Sequence, residues 1–135
     1  MPPSRRTVLA LVAGALVASA CGTHGTPIPN ENTFAGVYTT TLRAASGGGE
    51  RTMTLALNLD RSATLSTHFV GRDGEIVDRG TWSAVGHRLN LSLATTGGER
   101  APQRLAFELR DDALAPVAWD RALWGESGPG TYRRK

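Results

Sequence analysis

The chain reads as an all-β protein, a small antiparallel meander of about eight strands that closes into a barrel. Three observations lead there. Apolar side chains recur at every second position, as in Met53, Leu55, Leu57 and Leu59. That is the period of a half-buried strand, not of a helix. Gly, Asn, Asp and Ser fall between such runs at regular spacing, as turn residues do in a meander. No amphipathic stretch of helical period competes with these signals after the first 20 residues.

The chain opens on a leader. Ser4-Arg5-Arg6 gives a positive start, Val8 to Ala18 is apolar apart from Gly14, and Ala18-Ser19-Ala20 sets small residues before Cys21. This is the layout of a secretory signal peptide over residues 1–20. The small-small-Cys ending resembles a bacterial lipobox, which implies that Cys21 becomes the mature N-terminus and carries lipid, palmitate included. An ordinary signal cut at Ala-x-Ala, with Cys21 left as a free thiol, is the competing reading. The apolar run is too short for a transmembrane anchor, which needs ~20 residues. Ser4-Arg5-Arg6-Thr7-Val8-Leu9 also resembles the twin-arginine export motif, with the basic start of a general secretion signal as the alternative. Gly22 rather than Asp follows the cysteine. The expected home is then the outer membrane, facing the periplasm, in a host with two membranes. In a host with one, it is the outer face of the cell membrane.

Residues 21–33 read as the lipidated cysteine and a flexible tether, rich in Thr, Gly, Pro and Asn. Residues 34–135 read as one β-barrel domain, long enough to bury its own core. Cys21 is the sole cysteine, so no internal disulfide is available. Of 15 basic residues only Lys135 is lysine, and removal of Arg5 and Arg6 with the leader leaves 13 basic against 12 acidic side chains. That near balance, with no basic stripe interleaved with aromatics, excludes a nucleic-acid partner. The cluster Arg133-Arg134-Lys135 reads as a solvated tail.

Within the domain, Phe34 to Leu42 is the first strand, rich in Val, Tyr and Thr. Arg51 to Leu59 alternates, with Met53, Leu55, Leu57 and Leu59 on one face. Ser62 to Val70 gathers Ala63, Leu65, Thr67 and Phe69, and Ile76 to Ala84 aligns Ile76, Gly80 and Trp82. Leu89, Leu91 and Leu93 follow, then Leu105, Phe107 and Leu109; a shorter strand spans Leu114 to Trp119 and a last one ends near Tyr132. Ser46 to Gly49, Asp60 to Ser62, Gly97-Gly98 and Asp111-Asp112 mark turns, and Asp73-Gly74 is the strongest hairpin signal. An eight-stranded barrel is just wide enough for side chains or for one small ligand. Here Leu55, Leu57, Leu65, Leu91, Leu93, Leu105 and Phe107 point inward and are expected to fill it.

From Phe34 to Arg134 the chain resembles the N-terminal domain of the NlpE family, envelope lipoproteins linked to copper resistance and surface sensing. The resemblance rests on Phe34-Ala35-Gly36-Val37-Tyr38, Thr52-Met53-Thr54-Leu55, Leu57-x-Leu59-Asp60, Gly80-Thr81-Trp82, Leu89-x-Leu91 and Tyr132-Arg133-Arg134. It implies a lipocalin-like barrel. The family's Leu-Pro-Cys-x-x-Cys-Pro-Gly segment corresponds to Leu42 to Gly49, where Ala44 and Gly47 replace the two cysteines. Copper(I) requires soft sulfur ligands, so copper binding through that loop is not expected.

Other chemistry is sparse. His24, His68 and His87 lie on a tether, a polar strand face and a turn, with no metal-ligand spacing. There is no Gly-x-Ser-x-Gly elbow and no glycine-rich phosphate loop opening a helix. Asp111-Asp112 reads as a solvated turn. Trp82 is expected to close the barrel. Trp124, in Leu123-Trp124-Gly125, is either a partner or ligand contact or a packing residue on the rim. No cofactor, metal site or catalytic residue is expected. The reading is a lipid-anchored, non-catalytic barrel that binds or senses in the cell envelope through a protein partner. The rival is a lipocalin-like carrier of a small apolar ligand.

Overall fold

A computed structural model describes residues 30–43, 49–95 and 101–135. Eight strands run in sequence order and close on themselves: β1 (Gly36–Arg43), β2 (Glu50–Leu57), β3 (Ser62–Phe69), β4 (Ile76–Val85), β5 (Arg88–Thr95), β6 (Gln103–Arg110), β7 (Ala113–Ala118) and β8 (Tyr132–Arg134). Every neighbouring pair is antiparallel, and β8 returns to β1 through Tyr38 opposite Arg134. A helical turn, α1 (Arg121–Trp124), lies in the link between β7 and β8. A 3₁₀ turn, Glu31–Phe34, precedes β1. Closure removes the open sheet edges on which other chains pair.

The alternation read from the sequence is the burial pattern. Met53, Leu55 and Leu57 of β2 are buried, as are Ala63 and Leu65 of β3, Leu89, Leu91 and Leu93 of β5, and Leu105, Phe107 and Leu109 of β6. They form one core with Phe34, Tyr38, Trp82, Leu114 and Tyr132. Full burial of a side chain of this size contributes about 1.5–3 kcal/mol, so the interior alone accounts for most of the drive to fold.

Two face assignments fail. Leu59 is 67 % exposed, because β2 ends at Leu57 and the chain reverses over Asn58 to Arg61. The Arg61 amide bonds back to the Asn58 carbonyl, and Arg61 takes a positive φ of 72°. Ile76 is 47 % exposed, since it is the first residue of β4 at the rim. The Asp73-Gly74 signal does fall in a hairpin, the one between β3 and β4, though in a longer loop than two residues. The six residues 70–75 join β3 to β4, and the tight turn there closes earlier, from the Arg72 amide to the Phe69 carbonyl. The two-residue turns are Gly86-His87 and Asp111-Asp112.

Gly80 has a specific task. A Cβ there would lie 1.7 Å from the Ser92 carbonyl oxygen, so β4 presses onto β5 more closely than any side chain permits. The Ser46 to Gly48 and Gly97-Gly98 turns lie outside the described residues, as do the leader, Cys21 and His24.

The two ends of the barrel differ. At one end the 3₁₀ turn plugs the opening. Asn30 and Glu31 to Thr33, expected in the tether, are part of the folded body, with Asn30 capping the turn by accepting from the Asn32 amide. Phe34 is fully buried and meets Trp82 at 6.4 Å between ring centroids. The Tyr38 hydroxyl donates to the Phe34 carbonyl at 2.8 Å. The Arg134 guanidinium donates to Ala35 and Thr33 carbonyls and to the Tyr38 hydroxyl. Arg61 stacks 4.3 Å from the Trp82 ring and pairs with Glu31. Trp82 thus closes this end, with its indole N–H donating to Asn58 at 2.9 Å.

Candidate functional site

A concavity lies outside the barrel, across β4 to β7. The register sets Thr81 beside Ser92 and Ser92 beside Arg104. The next row is Ser83, Asn90, Ala106 and Ala118. These outward side chains are short, so the face has no relief of its own to fill it. The β6–β7 register then shifts between Ala106 and Phe107, and such a bulge bends the strand and deepens the surface. The result is an open depression of about 490 Å³, floored by Ala106 and rimmed by Arg88 and Arg104.

The electrostatics of this face are one-sided. Elsewhere five arginines meet carboxylates, Arg43 with Glu50, Arg61 with Glu31, Arg110 with Glu108, Arg121 with Glu126 and Arg134 with Asp112, while Arg51, Arg72 and Arg133 have no such pair among the described residues. Among the described residues, no carboxylate pairs with Arg88 or Arg104, nor with Arg79 two positions before Thr81 on the same face. Glu108 stands opposite Arg88 in register but bonds to Arg110 at 3.2 Å instead. Arg88 reaches only the Asn90 side-chain oxygen, at 3.4 Å. Arg104 faces Ser92, four residues from Arg88 along β5, which separates the two arginines by roughly 14 Å along the strand. The lining offers guanidinium, hydroxyl and amide groups and no His, Cys or carboxylate. Such a surface can hold polar and anionic groups, and no His or carboxylate in the lining stands beside its hydroxyls.

The end of the barrel opposite the plug carries a second polar group. Arg51 points inward from β2, and its guanidinium lies 5.4 Å from the Trp124 ring centroid. The Trp124 indole N–H donates to the Gln103 side-chain oxygen at 2.9 Å. Trp124, the sequence's candidate contact residue, is therefore a part-buried rim residue packed on the core. Asp78 and Thr67, both buried, also face inward here, and Oδ1 of Asp78 has no hydrogen-bond partner. Tyr132 lies deeper, its hydroxyl 3.7 Å from the Met53 sulfur; burial pushes its ionisation well above the usual tyrosine range.

The remaining candidates do not converge. His68 is exposed, with Nδ1 3.3 Å from the Gly74 carbonyl oxygen, and His87 sits in the β4–β5 turn. Asp111 and Asp112 form the exposed β6–β7 turn. Among the described residues no three His, Cys, Asp or Glu side chains are grouped to hold a metal ion. Nor is any helix there long and apolar enough to cross a membrane. No family model, curated protein or solved structure matches the chain.

Arg88, Arg104 and the serines were not singled out from the sequence. Each looks like an ordinary outward strand residue. Only the register across four strands shows that the unpaired cations and the short side chains share one face.

Proposed function

We propose that this chain is a membrane-anchored bacterial lipoprotein whose β-barrel binds in the cell envelope without catalysis. Its anchor is lipid on Cys21. The observation that carries the binding role is the depression outside the barrel, rimmed by two arginines that no carboxylate among the described residues pairs with. An uncompensated charge pair bordering a concave polar surface is a natural recognition site for a ligand of opposite charge. The inward leucines pack with Phe34, Met53 and Tyr132 in one core, which favours this role over carriage of a small apolar molecule. The leader, the tether and the order of strand signatures similar to the NlpE N-terminal domain support the envelope setting. The loop that would hold that family's cysteine pair has Ala44 and Gly47, so the proposal includes no copper chemistry.

Metabolic palmitate labelling tests the anchor. The expected result is a labelled protein in the membrane fraction, with Cys21→Ser unlabelled and released. Label that persists in Cys21→Ser overturns it.

A further inference from the structure

We propose that the depression across β4 to β7 binds an elongated, carboxylate-bearing saccharide; this rests on the reading of the barrel as a binding module. The two arginines limit the ligand. Guanidinium groups recognise carboxylate or phosphate by paired hydrogen bonds. Arg88 and Arg104 are four register positions apart, roughly 14 Å along the strand, so one small anion cannot bridge them. The ligand needs at least two acidic groups with a spacer of two or three sugar lengths between.

The floor limits the spacer. Beside the arginines lie Ser92, Asn90, Thr81 and Ser83, which both donate and accept hydrogen bonds. That suits a chain of hydroxyl groups. A protein partner would be anchored by large apolar or aromatic side chains. None of the exposed large apolar residues, Val37, Leu59, Val70, Ile76, Val85, Val117 or Leu123, lines the depression. A single-stranded nucleic acid would need aromatic faces on which bases stack. The one aromatic of the lining, Trp82, is 3 % exposed and turned to the core. A flat bilayer surface cannot enter a concave face floored by Ala106.

The test is amide-resolved NMR of the whole protein, purified with its lipid from a bacterial envelope. Three probes are added in turn: hexagalacturonate, neutral maltohexaose and inorganic phosphate. Hexagalacturonate is expected to bind in the sub-millimolar range, shifting the amides of Thr81, Asn90, Ser92 and Arg104. Maltohexaose and phosphate are expected to bind at least about tenfold more weakly. Arg88→Ala and Arg104→Ala should each weaken hexagalacturonate about tenfold, the loss expected for one charged hydrogen-bonding group, with unchanged melting temperature. Thr81→Glu should abolish binding by repulsion. Equal binding of the neutral and acidic sugars, phosphate binding as tight as hexagalacturonate, or shifts confined to other faces would each overturn the proposal. A failure here with palmitate labelling intact would sink the saccharide and leave the lipid anchor standing.

Discussion

The two ends of this barrel are built from different materials. The plugged end is sealed by aromatic rings and cations in close contact: Phe34 on Trp82, Arg61 over Trp82, and Arg134 holding the backbone of the 3₁₀ turn while bonding Tyr38. The opposite end is built from inward polar groups: Asp78, Arg51 resting on Trp124, and Gln103 holding the indole N–H. Among the described residues each end keeps one buried polar atom without a partner, Arg61 Nη1 at the plug and Asp78 Oδ1 opposite it. Burial without a partner is costly and burial with one is not. The plugged end, where Arg134 makes three hydrogen bonds and Phe34 packs on Trp82, should be the stable half, and the rim the half that opens first. The difference also teaches where stability was concentrated: at the junction of the first and last strands, where β1 and β8 must meet for the barrel to close.

The largest effect is expected where both halves share the core. Leu57→Asp places an unpaired charge inside, and the domain should lose cooperative melting altogether. A variant that still melts cooperatively would show that β2 faces the other way. Phe34→Ala removes the plug, and a fall of about 3–5 kcal/mol in unfolding free energy is expected by denaturant titration. A loss comparable to that of a surface residue would make the two ends equivalent.

The tyrosines separate the ends by pH. Burial raises the ionisation of Tyr38, with the Arg134 charge and hydrogen bond pulling it partly back. It raises Tyr132 further, with a smaller opposing pull from Arg51. Both folded values lie above 10.0, the ordinary value for tyrosine. The stability tied to the neutral hydroxyls is thus fully present below pH 10 and is lost as pH climbs through the folded values, because the unfolded chain sheds its protons first. Ultraviolet titration of the phenols should show Tyr38 ionising before Tyr132, with Tyr132 ionising only on unfolding. The reverse order would show that Tyr38, beside the plug, is buried more effectively than Tyr132 in the interior.

The smallest effect is expected at the rim. Trp124→Phe keeps the ring and removes the N–H donated to Gln103, so a loss of about 1 kcal/mol is expected. Hydrogen exchange should then quicken in Gln103 and Arg51 and stay unchanged at Tyr38. Faster exchange at both ends would mean that the barrel opens as one unit.

The interior was legible in the sequence because period-two alternation is a local signal. Met53, Leu55, Leu57, Leu65, Leu91 and Phe107 could be placed inside from their spacing alone, and the structure buries all of them. Strand ends were not so clear. Leu59 continues the parity of β2 but lies beyond its last residue, where Arg61 turns the chain. The plug was also hidden, because Glu31 to Thr33 looks like linker composition, Phe34 reads as the start of a strand, and the partners Arg61 and Arg134 stand far along the chain. The outer depression was the least legible part. Thr81, Ser92 and Arg104 come from three strands, and nothing in their own neighbourhoods announces that they meet.

The central claim is a filled barrel, lipid-anchored at Cys21, that binds with its outside. Native mass spectrometry of the protein, released in mild detergent from a bacterial envelope, tests it most directly. The account predicts the mass of the chain from Cys21 onward plus covalent lipid, with no other stoichiometric component. A retained apolar molecule that leaves only on unfolding would contradict the filled interior, and a mass without covalent lipid would contradict the anchor.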